Sequence, residues 1–162
     1  MKRLLLSGLL AVTVHAVDVS GTYENLGSVL GATDEVVSLH GLLGLEFEPA
    51  TARTLFAQTD RVVIRQSDSG FVIRCVDADG EQTWGGRWDR EMGYDTEREQ
   101  VKLLFSKRKE KTGYLFLLSS AGDRRLLVVE VHRVEASTFG PVGQPIGTYL
   151  FNRVSKITAS RN

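Results

Sequence analysis

Arg61–Val76 reads RVVIRQSDSGFVIRCV. Two runs rich in Val, Ile and Phe flank Ser67-Asp68-Ser69-Gly70, a cluster of residues that tight turns favour. This is a β-hairpin, and the same strand–turn–strand pattern spreads downstream from it. Asp77-Ala78-Asp79-Gly80 turns the chain into Glu81–Trp84, and Gly85-Gly86 breaks that run. Arg87–Asp95 is charged and carries Trp88 and Tyr94. Glu99–Lys107 turns through Arg108–Thr112 into Gly113–Ser119. Ala121-Gly122-Asp123 leads to Arg125–Val134, the longest apolar strand. Glu135–Ile146, with Gly140, Pro141, Gly143 and Pro145, reads as a loop before the last strand, Gly147–Val154.

Upstream of the hairpin the pattern changes. Ser20–Asn25 (SGTYEN) reads as a first strand. Thr33 or Asp34 then caps a short helix whose face is Val36, Leu39, His40 and Leu43, ended by Gly41 and Gly44. Pro49 opens an ambiguous piece, Ala50–Gln58. The chain is therefore expected to be mainly β. It should form an antiparallel meander of about seven or eight strands, curled into a barrel or half-barrel, with a short helical segment near residues 33–58.

Alternation along the strands assigns the interior. One face collects Phe71, Ile73 and Cys75; Val101, Leu103 and Phe105; Tyr114, Phe116 and Leu118; Leu127, Val129 and Val131; Tyr149 and Phe151. These are mostly large, and a small barrel is just wide enough for its own side chains to fill. Leu115, Leu117, Leu126 and Val128 fall on the opposite face, so two strands are apolar on both sides. Covering that second face is worth roughly 1.5–3 kcal/mol per large side chain. The 33–58 segment, acting as a lid, is the favoured cover, and a partner subunit is the other.

Met1 to Ala16, MKRLLLSGLLAVTVHA, supplies the address. Lys2 and Arg3 precede an apolar run of 11 residues, Leu4 to Val14, and the small residues Val14 and Ala16 precede a cut before Val17. A bilayer crossing needs about 20 apolar residues of helix, so no stable membrane span is expected. Residues 1–16 read as a signal peptide and 17–162 as one β-rich domain, exported to the periplasm or secreted and soluble after cleavage. The 20 basic and 20 acidic residues balance, which argues against a nucleic-acid partner. Cys75 is the only cysteine, so no internal disulfide forms.

Chemistry-bearing residues are sparse. After cleavage the histidines are His40 and His132; the latter lies two residues from Glu130. No HxH, HxxxH or CxxC spacing holds a metal, and none is expected. Cys75 alternates with core residues and behaves as a small hydrophobe. Asp77, Asp79 and Glu81 resemble half a calcium loop, but Trp88 stands where the loop's twelfth-position glutamate belongs, so a hairpin turn is expected. Lys107-Arg108-Lys109-Glu110-Lys111 reads as a charged hairpin tip. No acid, base and nucleophile set converges, so neither an enzyme nor a cofactor is expected. Trp84, Trp88 and Tyr94, beside Arg87, Arg90 and Arg98, form the candidate rim for a ligand or partner.

The stretches Asp18–Asn25 (DVSGTYEN), Ser38–Leu43 (SLHGLL) and Tyr149–Arg153 (YLFNR) resemble small exported bacterial proteins, many of them lipoproteins, of no assigned activity. More loosely, the order of pieces over roughly residues 18–154 resembles a lipocalin-type barrel. The chain departs from both patterns. The lipidation cysteine is missing, since Leu9 follows Leu6-Ser7-Gly8, and Tyr23 stands where a lipocalin carries tryptophan. The resemblance implies that Tyr23 and Arg153 meet at barrel closure. It implies a non-enzymatic binding protein for a small apolar ligand or an envelope protein. The other reading is a structural or interaction module acting through its surface, with a homodimer as one form.

Overall fold

The computed structural model describes residues 18–43, 61–77, 80–89, 92–95, 98–106, 112–135 and 142–154. Residues 1–16, read from sequence as a signal peptide, the Ala50–Gln58 piece and the charged 107–111 stretch lie outside the described residues. The hairpin that opened the reading is β4 (Arg61–Ser67) and β5 (Gly70–Asp77), paired from Arg61 opposite Val76 to Ser67 opposite Gly70. β1 (Gly21–Glu24) lies along the far side of β4, and β6 (Gly80–Arg87) along the far side of β5. These four strands make one antiparallel sheet in the order β1-β4-β5-β6.

The second sheet has seven strands: β2 (Leu26–Val29), β3 (Val36–Ser38), β7 (Met92–Asp95), β8 (Gln100–Ser106), β9 (Thr112–Ala121), β10 (Leu126–Glu135) and β11 (Val142–Asn152). Their order is β3-β2-β11-β10-β9-β8-β7. The protein is thus mainly β and the strands follow one another as antiparallel neighbours, as the spacing of turns predicts. β2, β3 and β7, of three or four residues each, add to the eight strands read from sequence. The two sheets meet where Tyr23 of β1 pairs with Arg153, just past β11. The opposite edges, β6 and β7, are not paired with each other among the described residues, so the shell is a half-barrel and not a closed cylinder.

The interior follows the alternation. Val101, Leu118, Val129 and Tyr149 stand opposite one another on four successive strands and form one inward rung. Together with Phe71, Ile73, Cys75, Leu103, Phe116, Leu127, Val131 and Phe151 they belong to a single buried cluster. Tyr114 is half-buried against it. Tyr23, Phe71, Ile73, Leu118, Leu127, Val129 and Phe151 are 0 % exposed. A side chain with no exposure borders neither solvent nor a void that a water molecule fits, so these side chains are closely packed.

Three sequence readings are corrected. Val36 does not lie on a helix. Val36 and Val37, both β-branched, form β3, and Val36 is 57 % exposed. The helix, α1, is Leu39–Leu43, and its N-cap is Ser38, not Thr33 or Asp34. Ser38 Oγ accepts the Gly41 N–H at 3.1 Å, and Asn25 Oδ1 accepts the His40 N–H at 2.8 Å. Residues 142–146 are not loop but the start of β11. The long β10 offers them a ladder, and Pro145 fits because a β-bulge between Val131 and His132 absorbs the irregularity. Gly85-Gly86 does not break β6, because β5 partners it residue by residue through to Arg87.

Of the favoured lid, residues 44–58 lie outside the described residues, and its helix goes elsewhere. Leu39, Leu42 and Leu43 are fully buried and join the interior cluster, so α1 plugs the shell instead of covering the outside of β9 and β10. Outside, Leu117 is 5 % exposed and stands opposite Lys102 and Glu130 in register. Leu115, Leu126 and Val128 remain half-exposed.

β2 approaches β11 closely at Gly27. A Cβ there would sit 2.4 Å from both the Leu150 carbonyl oxygen and the Phe151 ring. Gly27→Ala should therefore cost about 1–3 kcal/mol in urea unfolding. A variant as stable as the wild type would show that the two strands have slack. Cys75, 1 % exposed, should react with a thiol reagent only as fast as the shell opens. Labelling at the rate of an exposed thiol in native buffer would contradict the packing.

Candidate functional site

Two regions gather polar or aromatic groups at the surface: the β1–β11 seam and the open β6–β7 side. At the seam the first and last strands are joined by backbone and by side chains. The Val154 N–H donates to Thr22 O at 2.8 Å, and the Arg153 N–H donates to Arg125 O at 2.7 Å. The Arg153 guanidinium donates through one terminal nitrogen to Ser20 O and through the other to Arg124 O, the latter at 3.4 Å. It lies over Gly21, where a Cβ would come within 2.7 Å of Nε. The glycine in Gly21-Thr22-Tyr23 therefore makes room for the arginine, a constraint that composition alone does not reveal.

Tyr23 is buried beside it and its hydroxyl donates to Val19 O at 2.8 Å. Burial raises its pKa above the ordinary 10.0; Arg153 pulls partly back and Asp18 adds to the rise. The phenol stays neutral and serves as a donor. Ser20 and Gln66 complete the region: Ser20 Oγ accepts the Gln66 N–H at 2.9 Å, and Gln66 Oε1 accepts the Val19 N–H at 3.2 Å. These bonds pin the entry of the chain to the end of β4.

On the open side, Trp88 follows β6 directly. Its indole N–H donates to Ser67 O at 2.9 Å, and its ring packs on Phe71 with centroids 6.1 Å apart. The tryptophan thereby locks the end of β6 to the β4–β5 turn. Tyr94 lies on β7 opposite Val101, half-buried against the interior cluster with Trp88, Met92 and Tyr114. Trp84 is placed by its backbone opposite Ile73 on β6; its side chain lies outside the described residues, as does Arg90. Sequence reading did not find that Met92 joins Trp88, Tyr94 and Tyr114 at the border of the interior cluster, because Met92 falls in a short strand that the charged 87–95 stretch conceals.

The remaining chemistry-bearing residues are scattered. Cys75 and His40 are buried, Cys75 in the centre and His40 on α1. His132 Nε2 lies 3.7 Å from Glu130 Oε2 on the outer face of β10. Asp77 and Gly80 close the β5–β6 hairpin as register partners, and Asp79 lies outside the described residues. Among the described residues no three His, Cys, Asp or Glu side chains gather as metal ligands, and no helix is long and apolar enough to cross a membrane.

No protein-family model matches the chain, and no curated protein matches it. Among solved structures it is similar to a mutant of the REP1-NXSQ fatty acid transporter, at 11% identity and a TM-score of 0.33. The match covers 84% of this chain and 98% of that one.

The Tyr23 environment gives a pH prediction. Its pKa is higher folded than unfolded, so its contribution to stability is intact below about pH 10 and is lost as pH rises through the folded value. Wild type should lose more stability than Tyr23→Phe above about pH 10 in urea titrations. At neutral pH the variant should be weaker by about 1 kcal/mol for the missing hydrogen bond to Val19. Parallel alkaline profiles would contradict the assignment.

Proposed function

We propose that this chain is an exported, non-enzymatic binding protein that works through the outside of its shell, contacting another component of the cell envelope. The observation that carries this reading is the packed centre. A pocket for a drug-sized apolar molecule needs roughly 300–1,000 Å³. Among the described residues the inward side chains of both sheets are buried against one another, and α1 adds Leu39, Leu42 and Leu43 to the same cluster. The outside, in contrast, carries a diagonal apolar stripe. Leu104 is opposite Leu115 and Val128 is opposite Leu150, all four half-exposed. Val36, Leu26 and Leu30, more than half exposed, continue the apolar surface on and beside the edge formed by β3 and β2.

The second reading, a small apolar ligand held at the mouth, is favoured by one observation: Trp88, Met92, Tyr94 and Tyr114 are half-buried on the side where β6 and β7 are unpaired. In that case the candidate rim of Trp84, Trp88 and Tyr94 would touch the ligand. Native mass spectrometry of the protein from its own envelope fraction separates the readings. The expected result is a chain beginning at Val17, without a retained small molecule and associated with a second protein chain. A stoichiometric apolar small molecule on a monomer would overturn the surface reading, and a chain still beginning at Met1 would overturn export.

A further inference from the structure

The seam has an outer groove that the apolar-surface reading does not use. It encloses about 390 Å³, and four arginines line it: Arg65, Arg124, Arg125 and Arg153. They come from three places far apart in the chain. Arg65 is on β4, Arg124 and Arg125 occupy the β9–β10 turn, and Arg153 follows β11. Gly21 and Thr22 of β1 lie between them. Among the described residues, no acidic side chain lines the groove. Asp18 and Asp123 are near in sequence, but Asp18 Oδ1 accepts the Ser20 N–H at 2.9 Å, and Asp123 is exposed at the turn.

This concentration of one sign stands out in a chain whose charges balance overall. Four arginines bordering one groove concentrate positive charge there, and a groove focuses their field. The turn itself is unusual: Asp123 and Arg124 both have left-handed backbone, with φ of 54° and 66°. Together with the Arg125 N–H donating to Gly122 O at 3.1 Å, this fixes where the two arginines leave the sheet. Arg153 is held rigidly by Ser20 O and Arg124 O above Gly21, and its other N–H groups remain to donate.

We propose that this groove binds a phosphate-type oxyanion. A phosphate monoester carries close to two negative charges at neutral pH and three oxygens that accept guanidinium forks. The aliphatic lining, Val63 and Val154, suits a small carbon body attached to it. The same group occurs in a free phosphate ester and in a phospholipid head group, and the recognition chemistry is shared. The site stands on the seam geometry alone and does not require the outer apolar stripe to have a partner.

The test uses the full chain at low ionic strength. Glycerol 3-phosphate is titrated by calorimetry, and phosphatidylcholine vesicles with and without phosphatidic acid are tested by co-sedimentation. Saturable binding of the soluble ester identifies a free ligand. Binding only to vesicles that contain phosphatidic acid identifies a head group. Arg125→Ala and Arg65→Ala, both at exposed positions, should each weaken binding about tenfold while melting like wild type. Should either fail to fold, the other decides. Arg133→Ala removes the same charge from the far end of β10 and should leave affinity within about twofold. Binding of neither probe, or equal weakening by Arg133→Ala and the groove variants, would overturn the proposal.

Discussion

The fold depends on one contact between distant parts of the chain: the Arg153 guanidinium seated over Gly21 and bonded to the carbonyl of Ser20, 133 residues away in sequence. Every other joint in the four-stranded sheet is a hairpin or the β1–β4 pairing, and every joint from β7 to β11 links strands adjacent in order. Among the described residues, the seam alone carries the four-stranded sheet onto the seven-stranded one through strand pairing. Because Gly21 has no side chain, the arginine reaches backbone carbonyls instead of standing off in water. Because Tyr23 is buried and neutral beside it, the positive charge meets a dipole and not a competing ion.

A second constraint shapes the interior. β1 and β2 are one strand interrupted at Asn25, so each half serves a different sheet. The interruption puts the Asn25 side chain inside, 1 % exposed, where an unpaired amide would be costly. Asn25 Oδ1 accepts from Ser38 Oγ and the His40 N–H, and its backbone carbonyl accepts the Leu39 N–H at 2.7 Å. The same residue therefore bends the wall and fastens the plug. With α1 seated, the centre becomes ordinary protein core.

Much of this was legible in the residues. Alternation placed Phe71, Ile73, Cys75, Leu127, Val129 and Val131 correctly, because a strand's period of two is a strong local signal wherever one face is buried. The turns carried their own chemistry at Ser67–Gly70 and Ala121–Asp123. The structure also brings Tyr23 and Arg153 together, but into a seam between sheets of an open shell. What was hidden is non-local. Val36 and Leu39 share a helical spacing, yet the strand-forming tendency of Val36-Val37 and the reach of Asn25 decide where the helix starts. Pro145 and Gly143 look like loop until β10 offers them a ladder. The four arginines of the groove are scattered from 65 to 153, and only the curl of the sheets collects them.

The placement of β11 has a consequence for how the shell can arise. This strand is sequentially last but spatially central, with β2 and the Tyr23 bridge on one side and β10 on the other. A chain cut before residue 142 keeps its local hairpins but lacks the strand that joins β2 to β10. Folding is therefore governed by contacts of high sequence separation, the kind that form late and slowly.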